Sequence, residues 1–327
     1  MRTPRVTVIV PTYNRAGYLA EAIGSVLAQT FDDFEVVVVD DGSTDGTAAL
    51  VGAFDDARVR YLYQDHRGIS AAMNAGVRSA RGDYVARLDS DDRWLPHMLA
   101  ALVPVLDARP AVGVVYGRGQ AMDREGRLIS HVQGMPERFP GDALRSLAYD
   151  DCTCNIALLV RRACFDRVGL YDETLPANED WDMWLRVARH YGLAFVDQVL
   201  ACIRWHDGNL TGPASPHFAL VLETRTAPLD KLFSDPDLPA AVRALRPAAY
   251  ANVYLFRGLR WLGSRHIRRA SREFGAALRV SDERLMTLVR ILWFALAVPA
   301  MNRSGVGRRA IKALATLRSQ RRARRAR

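Results

Sequence analysis

Lysine is almost missing from this chain, which has only Lys231 and Lys312, and cysteine is scarce at four in 327 residues. Cys152, Cys154, Cys164 and Cys202 include one Cys-x-Cys but no second pair at the spacing of a structural zinc site, so reduced thiols in a cytosolic protein are expected. Before Pro11 the apolar run "VTVIV" is too short for a signal-peptide core and has no small-residue cleavage site. A cytoplasmic location follows as an expectation. The first strand-to-helix turn carries neither GxGxxG nor GxxxxGK[ST], which removes both standard phosphate-cradling loops. Acidic residues stop at Glu283, while the stretch from Arg284 to Arg327 holds twelve positive charges. The net +9 therefore belongs to the C-terminal end, and the first 283 residues sum to −3. From Leu285 to Ala300 the chain is apolar apart from interruptions that include Arg290 and Pro299, short of the roughly 20 residues that cross a bilayer. Two readings remain open: an interfacial helix drawn to anionic lipid by "RSQRRARRAR", or a buried helix followed by a disordered basic end.

What is present between Val6 and about Gly119 is an alternation of β-branched runs with helix-period segments, the pattern of a βαβ layer with a mostly parallel sheet. The runs are "VTVIV", "FEVVVVD", "VRYLY" and "YVARLD", and the helical segments are "GYLAEAIGSVLAQ", "TDGTAALVGAF" and "GISAAMNAGVRSA". A fifth run, "VGVVYG", leads to "DREGRLI", whose acids and glycine suit a hairpin turn. Beyond it "NIALLVRRACFDRVG" reads as strand then short helix, "NEDWDMWLRVARHYG" as helix and "LAFVDQVLACIRWH" as one or two strands. After the break "HDGNLTGPASPH" only helices are expected, from about Ala219 on. The expected organisation is an α/β domain over residues 1–212, a helical region over 213–301 and a basic tail over 302–327.

Open α/β sheets bind ligands beyond the carboxyl ends of their strands. Four such ends here are polar: "PTYNR" (Pro11 to Arg15), "DDGSTDGT" (Asp40 to Thr47), "QDHRG" (Gln64 to Gly68) and "DSDD" (Asp89 to Asp92). Without a glycine-rich nest, a diphosphate needs its charge neutralised by a divalent cation held on strand-end carboxylates. The plainer alternative makes Asp91 and Asp92 the first residues of a helix over "RWLPHMLAALVPVLDA", where the dipole favours acids. In "NEDWDMWLRVARHYG", Trp181, Trp184, Leu185 and Ala188 form an apolar stripe. Asn178 is then the N-cap, with Glu179 and Asp180 in the first turn. An Asp so placed suits a general base, or is simply a helix-start acid. His206, in "RWHDGN", is either structural or a ligand beside the cation.

In their order and spacing, "VTVIVPTYNR", "VVVDDGSTDGT", "RGISAAMNAGVRSARGDYVARLDSDD", "NEDWDMWLR" and "IRWHDGNLT" resemble the inverting family 2 glycosyltransferases. The match runs from Val6 to about Leu210. It implies a GT-A fold, a mostly parallel mixed sheet flanked by helices, with the all-helical region after it. It also implies that Pro11, Thr12, Tyr13 and Arg15 surround the nucleotide of a UDP-, GDP- or dTDP-sugar, and that Asp41, with Asp40 beside it, accepts a hydrogen bond from the base. Asp89 then lies near the ribose, Asp91 on Mn2+ or Mg2+, and Asp92 trails them. Asn74 and Ser90 are implied as further nucleotide-sugar residues. Asp180 corresponds to the catalytic base, Glu179 to its neighbour, and His206 to a histidine that completes the metal shell in some members. Many relatives have Asn ahead of the glycine at Gly68; this chain has "DHRG", in which Arg67 can contact base or phosphate.

The implied reaction moves a sugar to a hydroxyl of a glycan or lipid-linked acceptor, as in bacterial surface-polysaccharide synthesis. No nucleic-acid partner is expected, and contact with an anionic membrane through the last helix and tail is. Two rivals stand beside this reading. A haloacid-dehalogenase-type phosphatase also places two aspartates after a strand, but it wants Thr or Val where Arg93 stands, and a catalytic lysine absent from this stretch. A non-catalytic relative or a membrane-surface module driven by the tail is the other.

Overall fold

The computed structural model describes residues 3–303. The chain divides into two compact units, one ending at Arg246 and the next beginning at Pro247. The strands are β1 (Val6–Thr12), β2 (Phe34–Asp40), β3 (Val59–Tyr63), β4 (Tyr84–Arg87), β5 (Arg93–Trp94), β6 (Val112–Met122), β7 (Leu128–Gln133), β8 (Leu158–Arg161) and β9 (Gly192–Arg204). The helices of the first unit are α1 (Ala16–Leu27), α2 (Thr47–Gly52), α3 (Ile69–Ser79), α4 (Met98–Ala108), α5 (Ala143–Tyr149), α6 (Arg162–Val168), α7 (Glu179–Ala188), α8 (Phe218–Glu223), α9 (Ala227–Phe233) and α10 (Ala240–Arg243). Next come α11 (Arg246–Gly263), α12 (Ile267–Val280) and α13 (Arg284–Arg303).

One sheet carries all nine strands in the order β3-β2-β1-β4-β8-β6-β9-β5, with β7 paired to β6. Pairing is parallel across β3-β2-β1-β4 and again between β6 and β9, whereas β8 runs antiparallel to both β4 and β6. The fold is thus α/β, with a mixed, mostly parallel sheet flanked by helices. Helices α1, α2 and α3 pack on the parallel half, and β2, apolar from Val36 to Val39, is buried along its whole length. The hairpin expected at "DREGRLI" joins β6 to β7, with Gly126 at φ +85°. The last strand-like segment is a single long strand, β9, whose register shifts let it follow β6 from Val112 to Met122.

One expectation is corrected. Arg93 and Trp94 are not helical: they pair antiparallel with Cys202 and Ala201 as β5, and the helix begins only at Met98, after Pro96. Asp92 is therefore not a helix-start acid. The first compact unit runs past residue 212 to Arg246: Phe218, Leu222, Leu229, Leu232 and Phe233 of α8 and α9 are buried, and α9 packs on α7. Most of the basic tail, from 304 on, lies outside the described residues. No helix among the described residues is long and apolar enough to cross a membrane.

Gly82, between α3 and β4, sits where the chain presses against β1. A Cβ built there would lie 2.6 Å from Thr7 N and 2.7 Å from the Val6 carbonyl carbon, and those backbone atoms belong to a central strand that cannot yield. The Gly82 N–H also donates to Thr7 Oγ1 at 2.9 Å. Gly82→Ala is expected to cost about 1–3 kcal/mol, measured as a lower unfolding midpoint.

Candidate active site

The register sets Thr12 opposite Asp40, Asp40 opposite Tyr63 and Ile9 opposite Arg87, so the carboxyl ends of the four parallel strands share one edge. On the β1–β2 side the loops are laced together. Asn14, at φ +51°, receives Thr44 N–H on Oδ1 at 2.8 Å, and its own N–H donates to Ser43 Oγ at 2.9 Å. Asp40 accepts from Ser43 N at 2.8 Å and from the Tyr61 hydroxyl at 2.6 Å, which binds it into the turn and to β3. Pro11 and Thr12 are the last residues of β1, both buried in the sheet.

The Asp41 carboxylate gathers three donors. Its Oδ1 accepts from Gln64 Nε2 at 2.6 Å and Arg67 N at 2.9 Å, and its Oδ2 from Gly68 N at 2.8 Å, while His66 Nδ1 lies 3.0 Å from the Asp41 carbonyl oxygen and 2.8 Å from Oδ2. The His66 ring lies against Tyr13 with centroids 4.1 Å apart and planes 22° apart. Tyr13 is 44% exposed, so this stacked pair forms an aromatic lip over the carboxylate. Arg67 points elsewhere, donating to Glu173 Oε2 at 2.7 Å. Asn74 is buried, donates to the Tyr171 carbonyl and Glu173 Oε1 at 2.9 Å each, and accepts from Tyr171 N at 2.8 Å. Its polar atoms brace the loop before α7.

The acids after β4 have separate partners. Asp89 accepts from Arg87 Nε at 2.6 Å, Ser90 is buried, and Asp91 Oδ2 meets His206 Nε2 at 3.0 Å with Arg15 Nε 3.9 Å away. Asp92 is buried beneath them and accepts the backbone N–H of Arg204 at 2.7 Å. Burial, then the charges of Asp91 and Asp89, push the Asp92 carboxyl well above the usual range. The His206 ring stacks on Tyr18 of α1 at 5.0 Å, and the Arg204 guanidinium lies over the same Tyr18 ring at 5.0 Å. Because Gly208 N–H donates to His206 Nδ1 at 3.0 Å, Nε2 carries the proton and donates to Asp91.

Among the described residues no group of three or more His, Cys, Asp or Glu side chains forms a metal site. Asp91 and His206, paired at 3.0 Å, would nevertheless offer one carboxylate and one imidazole to a divalent cation, a donor pair that fits manganese better than magnesium. Ligation through Nε2 would require the imidazole proton on Nδ1, and so would cost the Gly208 hydrogen bond.

At the start of α7, Asn178 does not cap as expected. It adopts φ +62°, and its buried side chain turns away from the helix start to donate to the Val221 carbonyl at 3.1 Å and Thr224 Oγ1 at 3.3 Å. Asp180 accepts Trp181 N–H on Oδ1 at 2.7 Å and Asn155 Nδ2 on Oδ2, while Asn155 is itself oriented by Trp184 Nε1 at 2.6 Å. Glu179 is 6% exposed and receives Arg87 NH1 at 3.2 Å. Burial and the neighbouring Asp180 push its carboxyl up to about 7, against the pull of Arg87. Asp151, near Asp180, is pushed up to about 6 by burial and by Asp180, with Arg225 opposing.

Arg87 is thus the join. It holds Asp89 of the acidic stretch with one nitrogen and Glu179 of α7 with another, bringing two sequence-predicted groups together across 92 positions. Arg15, Asp91 and His206 form a second group and Tyr13 and Asp41 a third, with Asp40 and Asn74 in bracing roles. Sequence reasoning missed Arg87, Asn155, Arg204 and Asp151. Arg87 left the only signal, a charged residue in a strand otherwise read as apolar.

The family model for glycosyl transferase family 2 matches residues 7–166. An uncharacterized glycosyltransferase of Rickettsia typhi is 31% identical over 221 residues, 65% of this chain and 67% of that protein. The chain spans only about a third of the length of other curated relatives that it matches. Among solved structures, a mannosyltransferase from Pyrobaculum calidifontis, in complex with GDP-Man and Mn2+, superposes with a TM-score of 0.60 at 23% identity, covering 96% of this chain and 87% of that one. S. aureus TarS residues 1–349, in complex with UDP-GlcNAc, superposes with a TM-score of 0.60 at 19% identity over 92% of both chains. The architecture is that of a GT-A glycosyltransferase. The chain belongs to glycosyl transferase family 2.

Proposed function

We propose that this protein transfers a sugar from a nucleoside-diphosphate sugar to a hydroxyl of a glycan or lipid-linked acceptor, with inversion at the anomeric carbon. One observation carries the reading: the carboxylate of Asp180, oriented by Asn155 and Trp184, stands at a helix start that Arg87 ties to the acids at the end of β4. That supports reading Asp180 as a proton acceptor beside a diphosphate-binding edge. The nucleotide-sugar complexes of the two solved structures support the donor class.

In this reading Tyr13 supplies the face on which the base lies and Asp41 the acceptor at its edge; Thr12, Pro11 and Ser90 shape the surrounding loop. Asp89 serves the ribose. Asp91 and His206 would hold Mn2+ or Mg2+, whose bound charge neutralises the diphosphate. Arg15, 3.9 Å from Asp91, adds a second positive charge on that side. Asp180 takes the proton of the acceptor hydroxyl as its oxygen forms the new bond to the anomeric carbon. The old bond to phosphate oxygen breaks on the opposite face, and its electron pair departs with the nucleoside diphosphate. Glu179 sits behind Asp180 as a buried neighbour that Arg87 holds in place. The four cysteines, all buried and unpaired, fit a reducing cytoplasmic setting.

Purified protein incubated with manganese and a panel of UDP-, GDP- and dTDP-sugars is expected to release one nucleoside diphosphate faster when an acceptor is present. No release from any donor, with or without candidate glycans, would overturn the reading in favour of a non-catalytic relative.

A further inference from the structure

Helix α13 is turned the wrong way for a soluble protein. Leu285, Met286, Leu288, Val289, Leu292 and Trp293 are between 39% and 74% exposed. At 3.6 residues per turn they occupy one arc of about 160°. Among the described side chains of α13, those that face inward are Thr287 and Ile291, and Arg290 is spent on Asn252 Oδ1 at 2.8 Å. An amphipathic helix normally buries its apolar arc, and a contiguous exposed one marks a contact surface.

The surroundings of that arc are basic. Arg265, Arg268, Arg272, Arg279 and Arg284 are exposed, and Arg279 and Arg284 line an open cleft of about 500 Å³ together with Leu278, Leu285 and Leu288. Across residues 247–303 there are ten arginines and three acids, and one of those acids, Glu273, is already engaged by Arg257 at 2.7 Å. Residues 304–327 add nine cations and no acid. Leucines beside guanidinium groups match acyl chain beside phosphate. A nucleic acid would satisfy the arginines but leave the leucines and Trp293 in water, and a second copy of the same basic surface would repel the first.

We propose that the exposed arc of α13, flanked by the arginines of α12 and the cleft, docks on the surface of an anionic lipid bilayer. The helix lies in the interface, since none of the described helices can cross it. Anionic headgroups meet the guanidinium groups while Leu285, Leu288, Leu292 and Trp293 enter the acyl boundary. The surface is independent of the sugar-transfer chemistry, which is read separately as nucleoside diphosphate release.

Full-length protein is to be sedimented with vesicles of phosphatidylcholine alone and with about 30% phosphatidylglycerol, at low and at high salt. The expected result is binding to the anionic vesicles, weakened at least about tenfold by high salt and by the pair Leu292→Ser and Trp293→Ser, with donor turnover unchanged. A second measurement needs no polar substitution. Vesicles with brominated acyl chains should quench a fluorescence component that Trp293→Phe removes. Equal binding to neutral and anionic vesicles, retention by the double variant, or absence of quenching would overturn the proposal. So would tighter binding to RNA than to vesicles, or self-association that the double variant abolishes.

Discussion

Asp180→Asn is expected to lower sugar transfer by roughly 10²–10⁴-fold while leaving nucleotide affinity within about twofold. The substitution keeps size and shape, so an oxygen can still accept the Trp181 N–H bond, 2.7 Å long in the wild type, and α7 keeps its first turn. What disappears is the lone pair that takes the acceptor proton. Asn155 then faces either an amide oxygen, which it can still bond, or an NH2 group, which flips or displaces it. Neither arrangement reaches Tyr13 or Asp41, where the nucleotide is proposed to lie. Turnover is measured by nucleoside diphosphate release with acceptor present, and binding by calorimetry; a variant that turns over at the wild-type rate would remove Asp180 from the mechanism.

Replacing Arg87 by Met should be the most damaging change to stability within the site. Burial opposes the charge of Arg87, but Asp89 and Glu179 outweigh it and push its pKa further up. Removing it strands two carboxylates, and breaking a buried charge pair typically costs about 3–5 kcal/mol. Asp89 is partly open to water, so the lower end applies. The unfolding midpoint should fall, and Glu179→Gln in the same chain should recover part of the loss, because it removes one stranded charge. Arg87→Lys, which keeps the charge but not the fork, should lie between. Full stability in Arg87→Met would show that the join is incidental.

Glu179 supplies a pH signature for the same arrangement. Its carboxyl is raised from 4.5 to about 7 by burial first and by Asp180 second. A raised folded-state value stabilises the protein fully below about 4.5, and that contribution is lost as pH rises to about 7. Denaturation of Glu179→Gln alongside wild type should therefore show the variant gaining relative stability across that window and no further above it.

Local signals were legible where the physics is local. Alternation of apolar runs with helical periods located β1 to β4 and the helices between them, and acids with glycine marked the β6–β7 hairpin at Gly126. Glu179 and Asp180 were readable as first-turn acids because a docking stripe of Trp181, Trp184 and Leu185 follows them. The cap was not readable in its chemistry: Asn178 occupies the position but spends its side chain on α8 and the turn after it, a choice set by neighbours 43 to 46 residues away. Likewise Arg93 and Trp94 form a strand because Ala201 and Cys202 are there to pair with them.

By itself, the sequence determined the order of β1 to β4 and the helices between them, the four polar strand ends, and the concentration of positive charge at the C-terminal end. Each of these follows from neighbours along the chain. Only the tertiary structure decided what those groups do to one another: that Arg87 spans Asp89 and Glu179, that Asn155 and Trp184 aim Asp180, that Arg204 N–H anchors Asp92, and that the apolar arc of α13 faces outward. Buried charges and unsatisfied polar atoms find partners across space. The register of a nine-stranded sheet, not spacing along the chain, chooses those partners.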